Sequence, residues 1–323
     1  MLYLNSEDIK NIGTKWGENV NLIEETVKLL ETDFVDQPIK PYLSFSEQQN
    51  RIIAMPARID AKSPTAGIKW IASFPNNHEF NKPRAHSITI LNSITTGEPL
   101  AIINGAIISA IRTASVSGLM IKKYIESRKN KKVKLGIIGF GQIGKMHLEM
   151  AKDLLKDMLD EVKIYDIKIQ DDKNISEDIA GITKFCDSWE EVYETSDIFI
   201  TCTVSNQGYI NKEPKRGSLI LNVSLRDFKP NILNFSPLIV VDKWEEVCRA
   251  NTDIERMKIE KNLIKDDTYS LVEIIELDIL KEQVEEKVIM FNPMGMASFD
   301  IAIAEKYFRK ALEINDIGIQ LEN

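Results

Sequence analysis

The sequence predicts an α/β fold that is divided between two domains, and three observations support that prediction. The chain has 323 residues, which is enough for two separate hydrophobic cores. Its first part contains short runs of β-forming residues separated by turn signals. From Val133 onwards, apolar runs alternate with helical segments, a pattern typical of a parallel sheet covered by helices.

The first part of the chain predicts a small domain that mixes helices with a sheet. Asn5 stands where the cap of a first helix is expected, and an amphipathic helix is expected around residues 18–34. Turn signals separate the β-like runs, which predicts an antiparallel or mixed sheet. Residues 105–126 then predict a long helix whose small side chains suit close packing. The β-like runs span residues 51–59, 66–74, 86–91 and 99–103.

The pattern of the sequence changes after the lysine-rich segment 129–132, which is expected to be a domain boundary. Apolar strands alternate with helical segments, from a helix at 142–157 to a last helix at 297–315, which predicts a parallel sheet. The segment 244–287 is charged and mainly helical, and the charges from Asp253 to Lys287 are expected to form a solvated helical face. The expected strands are residues 133–139, 162–166, 182–185, 197–203, 217–224, 238–242 and 288–292.

The composition argues against several classes of function. With 41 basic and 49 acidic residues the formal net charge is −8, which argues against a nucleic-acid-binding protein. Only three histidines and three cysteines are available for a zinc site or a histidine-based triad, so no metal is expected. No run of about 18 apolar residues occurs, so no membrane partner is expected.

The cysteines and the N-terminal segment predict a cytoplasmic protein. Cys186, Cys202 and Cys248 are odd in number and form no C-x-x-C pair, as expected for reduced thiols. The segment MLYLNSEDIK lacks the basic and apolar regions of a signal peptide. Because no base is visible as a partner for Cys202, this thiol is expected to pack rather than to act as a nucleophile.

A glycine-rich loop opens the second domain, and its context predicts a Rossmann-type dinucleotide site. Gly139, Gly141 and Gly144 form a G-x-G-x-x-G pattern that follows a strand and opens a helix. The first glycine permits a tight turn, the second the approach of a pyrophosphate, and the third close packing. Asp166 lies 22 residues past the last glycine, where an acid binds ribose hydroxyls and repels a 2′-phosphate. NAD is therefore expected rather than NADP, although Lys168 lies nearby.

Four further residues are expected to contact this cofactor. Gln142 and Ile143 begin the helix whose N-terminus would receive the phosphates. Thr201 and Thr203 end a strand of the same sheet, where hydroxyl or backbone contacts to NAD are expected.

Three segments outside the loop support a family resemblance. Residues 67–70 (GIKW) and 112–114 (RTA) precede the loop, and residues 292–297 (NPMGMA), followed by Asp300, come after it. In combination they resemble the ornithine cyclodeaminase/μ-crystallin family, and the resemblance covers nearly the whole chain.

This resemblance implies a domain division and an assembly. Residues 1–118 and 297–323 would form a discontinuous α+β domain for substrate binding and dimerisation. Residues 119–296 would form the NAD-binding domain of Rossmann type. The resemblance also implies a homodimer.

The resemblance further implies roles for three residues. Lys69 matches the family lysine at the substrate carbonyl or amine, and Arg112 matches the arginine that holds a substrate carboxylate. Asp227 falls where the family has its catalytic aspartate. Cyclodeaminases typically have a glycine-rich setting around that aspartate, whereas residues 225–228 here read LRDF, which disfavours ornithine cyclisation.

The chemistry of these residues leaves alternatives open. Asp227 follows a parallel strand, so it can act as a general base or simply cap the next helix. Lys69 lies among apolar neighbours, so its amine is either desolvated with a lowered pKa or turned to solvent by strand alternation. Arg112 suits either a bidentate grip on a carboxylate or a buried structural ion pair.

Several other residues are weaker candidates. Arg51, Arg58 and Lys40 are potential carboxylate ligands and equally ordinary surface charges, and Arg51 is favoured among them. His86 begins a strand and either faces the site or is structural, while His147 is expected to be structural.

Within the family, the segments RIIAMPARI, GIKWIASFPNN, TCTVSNQGYI and FNPMGMA most resemble the members that act on N-(2-amino-2-carboxyethyl)-L-glutamate. This implies oxidative hydrolysis by NAD to 2-oxoglutarate and L-2,3-diaminopropionate, for siderophore or peptide-antibiotic biosynthesis. Such a small anionic substrate needs several cations, which Lys69, Arg112 and Arg51 would supply. The alternatives are an ornithine cyclodeaminase, an alanine dehydrogenase or imine reductase, and a non-catalytic binding protein of the μ-crystallin kind.

Overall fold

The computed structural model describes residues 1–45, 50–129, 131–168 and 175–322. Asn130, in the expected boundary segment, and Asn323, the end of the expected first domain, lie outside the described residues. The chain divides into two compact units, and the bounds lie within a few residues of the predicted ones. The first unit comprises Met1–Thr113 and Gly295–Asn323, and the second comprises Ala114–Met294.

The first unit contains a mixed sheet and four helices. Its strands are β1 (Leu2–Leu4), β2 (Val35–Asp36), β3 (Tyr42–Ser44), β4 (Arg51–Ile59), β5 (Thr65–Ser73), β6 (Ala85–Asn92), β7 (Pro99–Asn104) and β16 (Ile319–Gln320). Its helices are α1 (Ser6–Ile12), α2 (Trp16–Val27), the first part of α3 (Gly105–Ser127), and α11 (Ala297–Glu313). The strand order is β16-β1-β7-β6-β5-β4-β2, with β3 on β4, and β1 pairs with β7 in parallel while the other pairs are antiparallel.

The strand register places Lys69 on the covered face of this sheet. Lys69 pairs with Met55 on β4 and with Thr89 on β6. Because side chains directly opposite share a face, these three lie together. All three are buried, and α11 packs against β4, β5 and β6. The neighbouring Trp70 and Ile88 lie on the other face and are 39% and 41% exposed.

The second unit contains a parallel sheet flanked by helices. Its strands are β8 (Val133–Ile138), β9 (Leu159–Tyr165), β10 (Thr183–Phe185), β11 (Ile198–Thr201), β12 (Leu219–Asn222), β13 (Leu238–Val241), β14 (Thr268–Ser270) and β15 (Ile289–Asn292). Its helices, besides the rest of α3, are α4 (Gln142–Leu155), α5 (Glu177–Ala180), α6 (Trp189–Thr195), α7 (Trp244–Val247), α8 (Asp253–Lys261), α9 (Leu271–Glu276) and α10 (Leu280–Gln283).

All described pairs in this second sheet are parallel, and the order is β10-β9-β8-β11-β12-β15-β13-β14. The four residues of each of β11, β12, β13 and β15 are buried, as expected for strands covered on both faces. The order changes direction between β8 and β11, which is where open α/β sheets bind ligands at the carboxyl ends of their strands. The predicted α/β class, with a Rossmann-type sheet beside a smaller α+β unit, is confirmed.

The structure departs from the predicted elements in two segments. The helix expected around 18–34 ends at Val27, because the amides of Leu29 and Leu30 bond back three residues and tighten the chain into turns. The expectation that the charges from Asp253 to Lys287 form a solvated helical face is wrong in part. This segment contributes the edge strand β14, and Asp253 at its start is fully buried.

Among the described residues, no helix combines the length and the apolar character that spanning a membrane requires.

Candidate active site

The glycine loop of the second unit has a geometry that only glycine permits at two of its positions. Gly139 has φ +84°, and a Cβ there would lie 2.5 Å from the backbone carbonyl of Cys202. A Cβ on Gly144 would lie 2.2 Å from the carbonyl oxygen of Gly139. The loop therefore folds tightly onto β11 and onto the first turn of α4, as the sequence pattern predicts.

Open space lies at the N-terminus of α4. Gly141 is the N-cap residue. Among the described residues, no side chain caps the helix and nothing lies within 4 Å of the position that a Cβ on Gly141 would occupy. Gln142 and Ile143 form the first turn, with Gln142 exposed. Uncapped N–H groups at the start of a 14-residue helix fit the pyrophosphate of a dinucleotide.

Asp166, which follows β9, bonds to the glycine loop and lines a neighbouring cavity. Its two carboxylate oxygens accept hydrogen bonds from the backbone N–H groups of Phe140 (2.6 Å) and Lys168 (2.8 Å). It also lines a cavity of about 310 Å³ at the ends of β9 and β10, with Lys168 and Cys186 among the other lining residues. An acid beside a cavity in this position fits the adenosine ribose of NAD.

Asp227 is fully buried, and hydroxyl groups bind both of its carboxylate oxygens. Thr203 donates to Oδ1 and Ser224 donates to Oδ2. Thr201, also fully buried, donates to Asn222 Oδ1 (3.1 Å) and lies within hydrogen-bond distance (2.6 Å) of Ser224. The two threonines predicted to contact NAD thus lie in the polar network around Asp227, and their contact with the cofactor stays a prediction.

Sequence reasoning missed three members of this network, Ser224, Asn222 and Asp253. Asp253 accepts hydrogen bonds from the backbone of Asp227 and from Asn222 Nδ2 (2.9 Å). Burial raises the pKa of Asp253 to about 6, against the hydrogen bonds and the ion pair with Arg256 that lower it. A residue at the start of a charged helix gives no local signal that its side chain reaches a turn 25 residues earlier.

The structure brings His147 next to Cys202, a partner that the sequence did not reveal. The two side chains lie 3.8 Å apart (Sγ to Nδ1), and His147 also bonds to Ser117 (2.9 Å) and to the carbonyl of Ile143 (2.8 Å). Burial lowers the pKa of His147 to about 4 and raises that of the Cys202 thiol. Both groups are therefore neutral at physiological pH, so the pair packs and does not form an activated thiolate.

The first unit contains a buried cation cluster, by which we mean Lys40, Lys69, Arg112 and Asp300. Asp300 is fully buried, and its Oδ1 accepts hydrogen bonds from Lys69 Nζ (2.9 Å) and Arg112 Nε (3.0 Å). Lys69 Nζ also donates to Ser109 Oγ (2.7 Å). Asp300 Oδ2 is buried without a hydrogen-bond partner among the described residues. The segments that support the family resemblance include Asp300, but the resemblance implied no role for this residue.

The chain around Gly295 completes the cluster. Lys40 is buried, and its Nζ donates to the Gly295 carbonyl (2.7 Å). Gly295 has φ +84°, and a Cβ there would lie 2.3 Å from a terminal nitrogen of Arg112. Glycine at this position therefore lets the guanidinium lie against the backbone. Of the predicted carboxylate ligands, Lys40, Lys69 and Arg112 come together here.

Burial and the neighbouring charges shift the pKa values of the groups in the cluster. Burial lowers the pKa of Lys69 to about 8; the charge of Asp300 opposes this shift, while those of Arg112 and Lys40 add to it. Burial alone would raise the pKa of Asp300, but Arg112 and Lys69 hold it below its usual value. The sequence left two alternatives for Lys69, a desolvated amine or an amine turned to solvent, and the structure has the desolvated amine. Because its pKa is lowered, this amine can lose its proton near physiological pH.

Arg51 lies further along the same face of the sheet as Lys69, four residues away in strand register. Its guanidinium lies 5.4 Å from the ring centre of Tyr42, and its Nε is buried without a partner among the described residues. Burial and the charge of Arg51 lower the pKa of Arg84, which precedes β6.

The remaining candidates lie elsewhere. Arg58, on the opposite face of β4, pairs with Asp60 (3.4 Å) and is partly exposed. His86 is exposed and lies on the face opposite Lys69. In the part of the chain that the structure describes, no three potential metal ligands cluster.

A parallel sheet whose first strand leads into this loop, with an acid after the second strand, defines a dinucleotide-binding protein. The chain belongs to the ornithine cyclodeaminase/mu-crystallin family, whose model matches residues 5–315. It is 32% identical to N-((2S)-2-amino-2-carboxyethyl)-L-glutamate dehydrogenase of Staphylococcus aureus, over 99% of this chain and 98% of that protein.

Two solved structures share the fold over nearly their whole lengths. The Δ1-pyrroline-2-carboxylate reductase of Thermococcus litoralis, in complex with NADH and L-proline, superposes with a TM-score of 0.86 at 24% identity, covering 99% of this chain and 100% of that one. An archaeal alanine dehydrogenase dimer with bound NAD gives a TM-score of 0.82 at 26% identity, covering all of this chain and 99% of that one. Family, fold and loop together make this chain an NAD-dependent oxidoreductase that acts on a carbon–nitrogen bond.

Replacing Gly141 with alanine tests the cofactor loop. Gly141→Ala should fold normally, since its Cβ meets no protein atom, but the methyl group would fill the space at the helix N-terminus. We expect at least a roughly tenfold loss in NAD affinity, about 1.4 kcal/mol, by calorimetric titration. Gly181→Ala is the matched control, because its Cβ also meets open space. Equal NAD affinity in the two variants would place the pyrophosphate elsewhere.

Proposed function

We propose that this protein catalyses the NAD-dependent oxidative hydrolysis of N-(2-amino-2-carboxyethyl)-L-glutamate. The products are 2-oxoglutarate and L-2,3-diaminopropionate, the latter serving siderophore or peptide-antibiotic biosynthesis. The observation that carries the proposal is the similarity to the S. aureus dehydrogenase across 99% of this chain. The buried cation cluster supports it, because buried Lys69 and largely buried Arg112 on one carboxylate, with buried Lys40 nearby, suit an anionic substrate. NAD and an amino-acid product fit the predicted cytoplasmic location.

The reaction divides into an oxidation and a hydrolysis that balance. The substrate loses a hydride from the glutamate Cα and a proton from the bridging nitrogen, which leaves an imine. Water then adds to the imine carbon, and the resulting carbinolamine cleaves its carbon–nitrogen bond as the leaving nitrogen takes a proton. In sum, substrate, NAD⁺ and water give 2-oxoglutarate, diaminopropionate, NADH and a proton. NAD supplies the hydride acceptor, and the glycine loop and Asp166 would hold it.

The cation cluster would bind and orient the substrate. Arg112 is fixed through its Nε by Asp300, so its terminal nitrogens can face a carboxylate. Lys40 adds a second buried positive charge nearby. Fixing a carboxylate on both sides would hold the Cα–H bond in one orientation, which is the main gain from positioning.

Two residues can move the protons. Lys69 is half deprotonated near pH 8, so its neutral amine can accept a proton from the attacking water. Asp227 is a second candidate base, held by the Thr203 and Ser224 hydroxyls. Which of the two serves as the base is left to experiment.

Product analysis tests the reaction directly. Incubation with NAD⁺ and N-(2-amino-2-carboxyethyl)-L-glutamate should raise absorbance at the NADH band and release equal amounts of 2-oxoglutarate and diaminopropionate. Alanine, proline and ornithine serve as comparison substrates, since relatives of this chain include alanine dehydrogenases and pyrroline-2-carboxylate reductases. NADH formed from alanine or proline alone, or proline formed from ornithine, would refute the proposed substrate. Binding without turnover would favour a μ-crystallin-like binding protein.

The pH dependence of the reaction tests Lys69. If its neutral amine is the base, kcat/KM should rise with pH and level off above about pH 8, because the lowered pKa places deprotonation there. Lys69→Arg keeps the positive charge at every pH, so the rise should vanish and the rate should fall by about 100-fold or more. A wild-type profile that is flat between pH 7 and 9 would show that Lys69 is not the base.

Arg51 and Arg84 would bind a second carboxylate. Four residues along a strand span about 13 Å, a distance that two long cationic side chains and an extended substrate can bridge. Among the described residues the buried Nε of Arg51 has no hydrogen-bond partner, and the repulsion between the two arginines favours an anion between them. A substrate with carboxylates at both ends would use this pair, whereas alanine or proline would not.

Binding of the product 2-oxoglutarate, compared with pyruvate, tests this pair. Arg51→Gln should weaken 2-oxoglutarate about tenfold or more, since charge-assisted hydrogen bonds contribute about 1.5–3 kcal/mol, and should leave pyruvate unchanged. Arg58→Gln is the control on the same strand and the opposite face. The same loss for both ligands in Arg51→Gln would show that Arg51 does not select the second carboxylate.

We further propose that the chain forms a homodimer through the exposed face of the first unit's sheet. Trp70 lies between Ala54 and Ile88 in register, and Ile68 lies between Pro56 and Ile90 in the next row. These side chains form an apolar surface that would be costly to leave in water.

Light scattering during size-exclusion chromatography tests the dimer. Trp70→Asp combined with Ile88→Asp should turn a dimer into a monomer, because the charges would be buried in the interface. Leu277→Asp, at an exposed leucine of the second unit, should leave the mass unchanged. A wild-type monomer would refute the proposed assembly.

A further inference from the structure

The turn that carries Asp227 has an unfavourable backbone conformation. Leu225 has φ +61°, in the left-handed region that disfavours residues with a Cβ. The leucine cannot move outwards freely, because its side chain is buried in the core of the second unit with Phe228 and Ile254. Contacts elsewhere must therefore hold the turn in this conformation.

Asp253 makes three of those contacts. Its own N–H donates to the carbonyl of Leu225 (2.8 Å), and its Oδ2 accepts hydrogen bonds from the N–H groups of Asp227 and Phe228 (3.1 Å each). One residue thus bonds to the turn both before and after Arg226. Nothing in the local sequence of α8 indicates these long-range bonds.

Both oxygens of the Asp253 carboxylate have partners within the protein. Asn222 Nδ2 donates to Oδ2 (2.9 Å), and Arg256 pairs with Oδ1 (2.9 Å). Asn222 is held in turn by Asn292 (2.9 Å), and Asp253 is fully buried. Since both oxygens bond to protein groups and the side chain is fully buried, Asp253 is placed to hold the turn.

Two sets of bonds therefore fix Asp227. The Thr203 and Ser224 hydroxyls orient its carboxylate, and Asp253 orients its backbone. We propose that Asp253 is a positioning residue, which holds the strained turn so that the Asp227 carboxylate stays in its reactive orientation. The inference rests on the proposed function, in which Asp227 takes part in the reaction.

A double-mutant cycle tests this role. Asp253→Ala should lower kcat about 10- to 100-fold while the affinity for NAD stays within twofold. In an Asp227→Asn background, the same substitution should lower the residual kcat less than twofold, because the group that Asp253 positions is already disabled. An equal loss in both backgrounds would overturn the proposal.

Asp197→Ala is the matched control. Asp197 is also a buried aspartate of the second unit that accepts a backbone N–H, from Lys134 (2.9 Å), and pairs with Lys215 (2.9 Å). Its loss should lower the melting temperature without lowering kcat more than about twofold. If Asp197→Ala and Asp253→Ala lower kcat equally, general destabilisation explains the effect and the proposal fails.

Hydrogen exchange provides a readout that needs no activity. The amides of Asp227 and Phe228 should exchange at least tenfold faster in Asp253→Ala than in wild type, whereas those of β12 should keep their protection. Unchanged exchange at these two amides would overturn the proposal. Asp253→Asn, which keeps the shape with one acceptor oxygen, should show a smaller increase if Asp253→Ala does not fold.

The same data separate this inference from the proposed function. Full activity in Asp227→Asn would remove Asp227 from the reaction and so refute its proposed role. The exchange of the two amides would still report whether Asp253 holds the turn.

Discussion

The first unit depends on one shared carboxylate. Burying an ammonium or guanidinium group without a counter-charge costs several kcal/mol, and this unit buries Lys69 and most of Arg112 in one place. Asp300 offsets that cost for both through a single oxygen, Oδ1. Other features of the unit follow from the arrangement. Gly295 lacks a side chain because the guanidinium lies there, and α11 must lie on the covered face of the sheet because it supplies Asp300.

The second unit follows a different constraint, the parallel direction of its strands. Parallel strands end at one edge, so the residues that follow β8, β9, β11 and β12 gather there without any pairing between their own sequences. Gly139, Asp166, Thr203 and Asp227 are these residues. Gly139 has no side chain, Asp166 bonds to the glycine loop, and Thr203 donates to Asp227. The sheet thus decides which residues meet, and the loops decide how each is oriented.

These constraints explain what the sequence could predict. Strong local patterns predicted β4, β8 and α3 closely, because a nine-residue β run, a buried apolar strand and a long helix are each specified by their own residues. The tight turn at Gly139 and the close packing at Gly144 were predicted correctly, since the geometry of the loop is local. Asp253 and β14 were missed because their environment comes from residues distant in the chain. Strand alternation showed that Lys69 and Trp70 face opposite ways, but which face is covered depends on α11, more than 200 residues later.

The net charge of −8 and the proposed anionic substrate are compatible because electrostatic effects in water are short-ranged. At physiological ionic strength the field of exposed charges decays within about 8 Å, so distant surface carboxylates have little effect on a buried site. Inside, Lys69 and Arg112 share the carboxylate of Asp300, and the charge of Lys40 acts on Lys69 as well. Burial, with the charges of Arg112 and Lys40 adding to its effect, lowers the pKa of Lys69 to about 8, so the same amine can be a cation that binds a carboxylate and, once deprotonated, a base. An arginine in its place could only bind, and an exposed lysine would stay protonated. Burial of a lysine beside two other cations provides both states in one pH range.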